Sequence, residues 1–312
     1  MDEHVAVLVD EVLEALAPSA GGFYVDATFG RGGHTARLLQ AVGREGSVLA
    51  LDRDPQAVAA GRRRFEGELR LEIVHAAFAD LRQVVRAHAR GRALRGALFD
   101  LGVSSPQLDE AQRGFSFAKD GPLDMRMDPT RGESAADWIA RASVEEIRVV
   151  IAELGEERFA RRVAQAIDAA RRGTPIVRTA QLAAIIQRAV PTREPGKHPA
   201  TRSFQALRMH VNDELGQLRA GLAAAHELLA PGGRLAVISF HSLEDRIVKH
   251  FMRDHASVDP VYAGLPVIPP AARPTLRLVG RKRRPGDEEL ARNPRARSAV
   301  LRVAEKLERE AA

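Results

Sequence analysis

The stretch Asp26-Ala27-Thr28-Phe29-Gly30-Arg31-Gly32-Gly33-His34 constrains this chain more than any other. Phe23-Tyr24-Val25 before it is an apolar run that reads as a buried strand, and Thr35-Ala36-Arg37-Leu38-Leu39-Gln40 after it has helical spacing. Strand, glycine-rich turn and helix together make a nucleotide-type cofactor site. Without Cβ atoms the backbone comes close to a ligand, and the helix N-terminus offers unused N–H donors. A dinucleotide fingerprint needs glycines at its first, third and sixth positions. Counting from Gly30, the third is Gly32 but the sixth is Thr35, so the helix-packing glycine is missing. A carboxylate at the strand end, Asp26, and a Gly-x-Gly-Gly core suit a ligand with an amino-acid end and no pyrophosphate.

That turn resembles the first motif of class I S-adenosylmethionine (SAM) methyltransferases, with Thr28 where many of them carry a further glycine. A tight turn without a ligand has the same composition, so the rest of the chain must decide. Ser47-Val48-Leu49-Ala50-Leu51-Asp52 is a second buried strand ending in an acid, and Asp54-Pro55 starts a helix after it. Asp52 lies 20 residues after Gly32, where an acid commonly holds ribose hydroxyls. NAD enzymes use the same device, so Asp52 does not distinguish cofactors. Leu71-Glu72-Ile73-Val74-His75 is a third strand, followed at the same sheet edge by Phe78, which serves either to cover an adenine face or as core. Ala97-Leu98-Phe99-Asp100-Leu101-Gly102-Val103 is a fourth strand carrying an acid. Four βα units with ligand-type residues at the strand ends specify a doubly wound α/β sheet.

The α/β rhythm then stops. Residues 104 to 132 are rich in Gly, Pro, Asp and Ser and read as an extended loop, and four helical patterns follow: 134–141, 143–154, 156–172 and 179–190. The second carries a capping box, Ser143 with Glu146, and ends at Gly155. Trp138, the single tryptophan, reads as core of this all-helical insert. A long amphipathic helix from Leu207 to Leu229 returns the chain to the sheet, and Arg234 to Ser239 is the fifth strand. A Pro-rich linker, 259–274, precedes two last strands, 275–279 and 298–303, joined without a clear helix; that suggests an antiparallel closing hairpin.

Composition bounds the rest. The chain has 312 residues, 45% of them hydrophobic and 28% charged, as in a globular protein. It has no cysteine, which excludes disulfides, thiolate metal sites and a cysteine nucleophile. The ten histidines lack zinc-site spacing, so no metal is expected. Met1-Asp2-Glu3-His4 does not read as a signal peptide and no apolar run spans a membrane; the expectation is a cytoplasmic protein. Net charge is +6, which permits a polyanionic partner, although arginine-for-lysine bias weakens that inference: only five of the 47 basic residues are lysine.

Two segments carry chemistry. Asp100 to Gln107, with Ser104-Ser105-Pro106, stands where a transferred methyl group is delivered. An exocyclic aromatic amine is a poor nucleophile because its lone pair is delocalised. Hydrogen-bond acceptors facing its N–H groups restore tetrahedral character and later take the proton. Enzymes that methylate amino groups of adenine or cytosine place a polar residue and prolines at this strand end, and Ser and Pro also simply form turns. His241, after the fifth strand, either moves a proton or holds a phosphate, or else neighbours a helix cap made by Ser242.

The segments Thr28–His34, Asp52–Pro55, Asp100–Gln107, Arg113–Phe117, Gly121–Asp128, Lys197–Arg202 and Ser239–Arg246 together resemble the RsmH (MraW) family, bacterial SAM-dependent methyltransferases of 16S ribosomal RNA. The resemblance runs from His4 to Val303 with all seven in order. It implies methylation of the N4 amino group of a cytosine in the decoding region of the small subunit. It places SAM contacts on Gly32, Gly33, His34, Asp52, Phe78, Asp100 and Gln107. The expected fold is a class I, Rossmann-like, seven-stranded methyltransferase domain, 1–108 and 207–312, with a helical substrate-recognition domain, 109–206, inserted. Candidates for the chemistry are Asp100, Ser104 and Ser105. Arg113, Lys119, Arg126, Lys197 and Arg202 are candidates for RNA phosphates, and Asp124 and His198 for the acceptor pocket. The rivals are a dinucleotide oxidoreductase and an RNA-binding assembly factor with a vestigial cofactor site.

Overall fold

The computed structural model describes residues 6–192, 196, 198–262 and 264–308. The chain forms two compact units, Met1–Gly102 with Gly216–Ala312, and Val103–Leu215. The first unit runs α1 (Val9–Leu16), β1 (Phe23–Asp26), α2 (Gly33–Val42), β2 (Ser47–Asp52), α3 (Pro55–Arg64), β3 (Leu71–His75), α4 (Leu81–His88) and β4 (Leu94–Asp100). The second holds α5 (Ser105–Asp109), α6 (Ala135–Arg141), α7 (Val144–Gly155), α8 (Ala160–Arg171), α9 (Thr179–Ala189) and α10 (Thr201–Val211). Helix α11 (Glu214–Leu228) returns the chain to the first unit, which closes with β5 (Leu229–Ser239), α12 (Ser242–His255), β6 (Leu276–Leu278), α13 (Asp287–Arg292) and β7 (Val300–Lys306).

The sheet has seven strands in the order β3-β2-β1-β4-β5-β7-β6. β1 to β5 are parallel, and β7 runs antiparallel to both its neighbours. This is the Rossmann-like sheet with an antiparallel closing pair expected of a class I methyltransferase. Strands covered on both faces read as unbroken apolar runs, and all four residues of β1 are buried. Successive side chains alternate faces. Phe99 and Val237 pack with Leu218 and Leu222 of α11 and Met252 of α12, while Leu98 and Ile238 pack with Leu8, Val12 and Leu38. Strand order reverses between β1 and β4, where sheets of this kind open a ligand crevice. Asp26, Asp52 and Asp100 are the last residues of β1, β2 and β4, so three carboxylates arrive at one edge.

The second unit has its own core, built from Leu123, Met125, Trp138, Ile139, Ile147, Ile151, Val163, Ile167, Leu182, Ile186, Phe204 and Leu207. Trp138 lies in it, its ring 4.3 Å from that of His210. Buried Asn212 ties down the loop before α6: its amide donates to Met125 O at 2.7 Å and its oxygen accepts Met127 N–H at 2.8 Å.

Four local expectations change. The helix expected from Leu207 to Leu229 is two helices, α10 and α11, because Asp213 takes a left-handed backbone, φ 46°. Gly155 does not end α7 by adopting that conformation; Glu156 does, φ 50°. Gly155 is needed for packing: a Cβ there would lie 2.7 Å from Arg202 O of α10. The closing strands are joined through α13, which mostly exposed, charge-rich residues had hidden. β5 begins at Leu229, with a register irregularity in its pairing to β4 and Gly232 at φ 77°. Among the described residues no helix is long and apolar enough to cross a membrane.

Candidate active site

The turn after β1 is organised from beneath by Asp26. Its fully buried carboxylate accepts Thr28 N–H at 3.1 Å and the Thr35 hydroxyl at 2.7 Å. Thr28 Oγ1 in turn accepts the Asp100 N–H at 2.6 Å, so the residue standing in place of a further glycine ties β1 to β4. Burial raises the Asp26 carboxyl, while the nearby His34 and the Thr35 and Thr28 bonds oppose that rise. Asp26 is thus a staple for the turn and faces no solvent. Gly32 sits at φ 75°, and a Cβ on it would meet the rings of Phe29 and Phe65 at 2.8 Å. Gly32 is also the N-cap of α2, whose first turn has no side-chain cap.

Asp52 accepts Gly30 N–H at 2.7 Å on one oxygen and Asp54 N–H at 2.8 Å on the other. Each carboxylate oxygen has a second lone pair, so Asp52 braces the turn and keeps acceptor capacity for hydroxyl groups. Burial pushes its carboxyl up to about 6, against the pull of those two backbone bonds. Asp54 caps α3 through Gln56 N–H at 2.9 Å.

His34, on the first turn of α2, is 5% exposed, with Nε2 3.5 Å from Asp100 Oδ2. Neither His34 Nε2 nor Asp100 Oδ1 has a hydrogen-bond partner, although both atoms are buried. Burial alone lowers the imidazole, but the adjacent Asp100 carboxylate, then the charges of Asp26 and Glu289, raise it overall. Glu289 comes from α13 and is fixed by Leu8 N–H at 2.8 Å. Phe78 is half-buried: one side meets Phe99 edge-to-face at 5.8 Å between centroids.

The structure therefore brings together Gly32, Gly33, His34, Asp52 and Asp100 at the carboxyl edge of the sheet, with Phe78 following β3. Ser104, Ser105 and Gln107 belong to the other unit. Ser104 begins α5, and buried Gln107 accepts the Ser104 N–H at 3.0 Å. The RNA candidates lie in that unit too. Arg113 is buried and donates to Arg126 O at 3.2 Å and Met127 O at 2.9 Å, so it is a loop-building arginine rather than a phosphate ligand. Arg126 forms a two-bond pair with Asp124, 2.7 Å each. Lys119 reaches Asp109 O at 3.1 Å and Arg202 reaches Glu156 O at 3.1 Å. His198 lies 4.6 Å from the Phe117 ring. Lys197 lies outside the described residues. His241 is itself the cap of α12, accepting Glu244 N–H at 3.4 Å, while Glu244 accepts the Phe240 and His241 N–H groups. Thr28, Thr35 and Glu289 were missed. Hydroxyls beside the turn signalled the first two; nothing local signalled Glu289.

Comparison with known proteins extends the geometry. The model of the MraW methylase family matches residues 1–307. The chain belongs to the MraW methylase family. A relative from Thioalkalivibrio sulfidiphilus is 58% identical over 305 residues, covering 97% of each chain. One from Alteromonas mediterranea is 53% identical over 307 residues, covering 98% of each. Both are named ribosomal RNA small subunit methyltransferase H. As a member of the MraW family the chain is a methyltransferase, and its methyl donor is SAM.

Proposed function

We propose that this protein transfers a methyl group from SAM to the N4 amino group of a cytosine in the decoding region of 16S ribosomal RNA, within the small subunit. The observation that carries the reading is full-length likeness, at 53–58% identity, to proteins named for that ribosomal subunit. The donor half also fits the residues present. Two buried polar atoms without partners, His34 Nε2 and Asp100 Oδ1, and the uncapped first turn of α2 are what a charged, polar ligand would satisfy. SAM supplies a methyl group on a positively charged sulfur, open to in-line displacement by a nitrogen lone pair.

The chain's own residues do the rest. The N–H groups of Gly33 and His34 suit a carboxylate, Gly32 lets the backbone come close while its own N–H goes to Phe29 O at 2.7 Å, and Asp52 suits ribose hydroxyls. The free side of Phe78 suits an adenine, and Gln107 is a further donor-side residue. Asp100, Ser104 and Ser105 are the acceptors available to an aromatic amine's N–H groups; accepting those bonds sharpens its lone pair, and Asp100 can hold the released proton. Residues 109–206 serve as the substrate-recognition part, with Lys119, Arg126, Lys197 and Arg202 contacting phosphates and Asp124 and His198 shaping the acceptor pocket. Incubating the protein with small subunits lacking the modification and methyl-labelled SAM tests this. Digestion to nucleosides should give all the label as N4-methylcytidine; label in another nucleoside, or none, rejects the assignment.

A further inference from the structure

SAM and its demethylated product, S-adenosylhomocysteine, share every group except one. The donor's sulfur carries a positive charge and the product's is neutral. Local charge at the strand ends therefore bears on the donor more than on the product, and an enzyme that turns over must release one and take up the other. We propose that the His34–Asp100 pair sets this discrimination: a neutral His34 leaves the Asp100 carboxylate free to favour the cationic donor, and a protonated His34 cancels it. This rests on the methyltransferase reading above and gives the His34 side chain a part in telling donor from product.

The geometry supports it. His34 Nε2 is 3.5 Å from Asp100 Oδ2, inside the protein, with no other hydrogen-bond partner. Asp100 Oδ1 is likewise buried and unpartnered, so the carboxylate's charge is not spread over donors on that side. Asp100 ends β4, at the edge where the order of strands reverses. The charged groups acting on His34 are Asp100 from β4, Asp26 from β1 and Glu289 from α13. These three carboxylates favour the protonated imidazole, against its burial, and place its titration above the ordinary histidine range. The imidazole therefore loses its charge only above the ordinary histidine range. At an effective dielectric constant of about 20, cancelling one charge about 12 Å away changes the affinity for a cation by roughly tenfold, and a closer one by more. Asp52, at about 6, faces the ribose that donor and product share, so its titration drops out of their ratio.

The experiment measures Kd for SAM and for S-adenosylhomocysteine by calorimetry on the full-length protein, between about pH 6.5 and pH 9. In the wild type, the product-to-donor Kd ratio should rise about tenfold with pH, through a single step. The same step should appear in the nitrogen-15 shift of the His34 imidazole, which needs no variant. His34→Gln keeps a polar side chain without the charge; its ratio should be flat and equal to the wild-type alkaline value. A flat ratio in the wild type overturns the proposal, as does a pH step that survives in His34→Gln or departs from the imidazole titration. Failure to bind SAM at any pH instead rejects the methyltransferase reading on which the proposal stands.

Discussion

At the residue scale, the carboxylates at the sheet edge differ in what they can do. Asp26 has its oxygens inside the turn and no access to a ligand, so its function is to hold Thr28 and Thr35. Asp52 keeps lone pairs to spare, and its elevated value, about 6, comes from burial. Because that value lies above the ordinary 3.8, the folded protein holds this proton more tightly than the unfolded chain does. Its contribution to stability is fully present below the unfolded value and is lost as pH rises through about 6. Donor binding has the opposite sign, because only the ionised carboxylate accepts two hydroxyl protons. SAM affinity should fall towards tenfold per unit of pH below about 6, and calorimetry in buffers of different ionisation heat should show proton release on binding near that pH. Pair-matched affinities at pH 5 and pH 7 would remove Asp52 from the ribose role. Ser104 and Ser105 can be separated from the donor in the same way. Replacing both with Ala should cut turnover by about ten- to a hundredfold while SAM Kd stays within about twofold. Unchanged turnover would end their candidacy and leave Asp100.

At the element scale, one left-handed residue decides where a long helix breaks. α10 and α11 meet at a strained corner, Asp213, and the corner is clasped by Arg208, which donates to both oxygens of Glu214 at 2.7 and 2.8 Å. Both side chains are largely buried, so cutting the pair leaves a desolvated carboxylate. Arg208→Ala should cost about 3 kcal/mol in urea denaturation followed by Trp138 fluorescence, and a loss below about 0.5 kcal/mol would mean that packing alone makes the corner. This corner also shows where the sequence misleads. Apolar spacing continues through Asn212-Asp213, so a break set by one backbone angle leaves no periodic trace. Gly155 misleads in the same way: it has the identity of a helix terminator, but its lack of a side chain lets α10 approach α7. The five parallel strands were legible because burial on both faces demands uninterrupted apolar runs, each of β1, β2 and β4 ending in an acid. The glycine turn, Asp52 and Asp100 were legible for the same reason. The partnership of His34 with Asp100 and the bond from Asp100 to Thr28 were not, because they join residues brought together only by the pairing of β1 with β4.

At the scale of the whole molecule, each unit has a core of its own. The only tryptophan, Trp138, lies in the helical core, so its fluorescence follows that unit alone. Gly32, Gly33, His34, Asp52 and Asp100, the donor-side residues that lie together, belong to the α/β unit. Ligand that binds a folded unit stabilises it by mass action, about 2.7 kcal/mol at a hundredfold excess over Kd. For a unit of roughly 200 residues that is a rise in Tm of about 5–10 °C. Calorimetry should therefore show two transitions, one coinciding with the loss of Trp138 fluorescence. Saturating SAM should move the other by about 5–10 °C and the tryptophan transition by less. If both probes report one coincident transition, with and without SAM, the two cores melt cooperatively, and the helical unit is a structural part of the donor-binding fold rather than a separable substrate-recognition module.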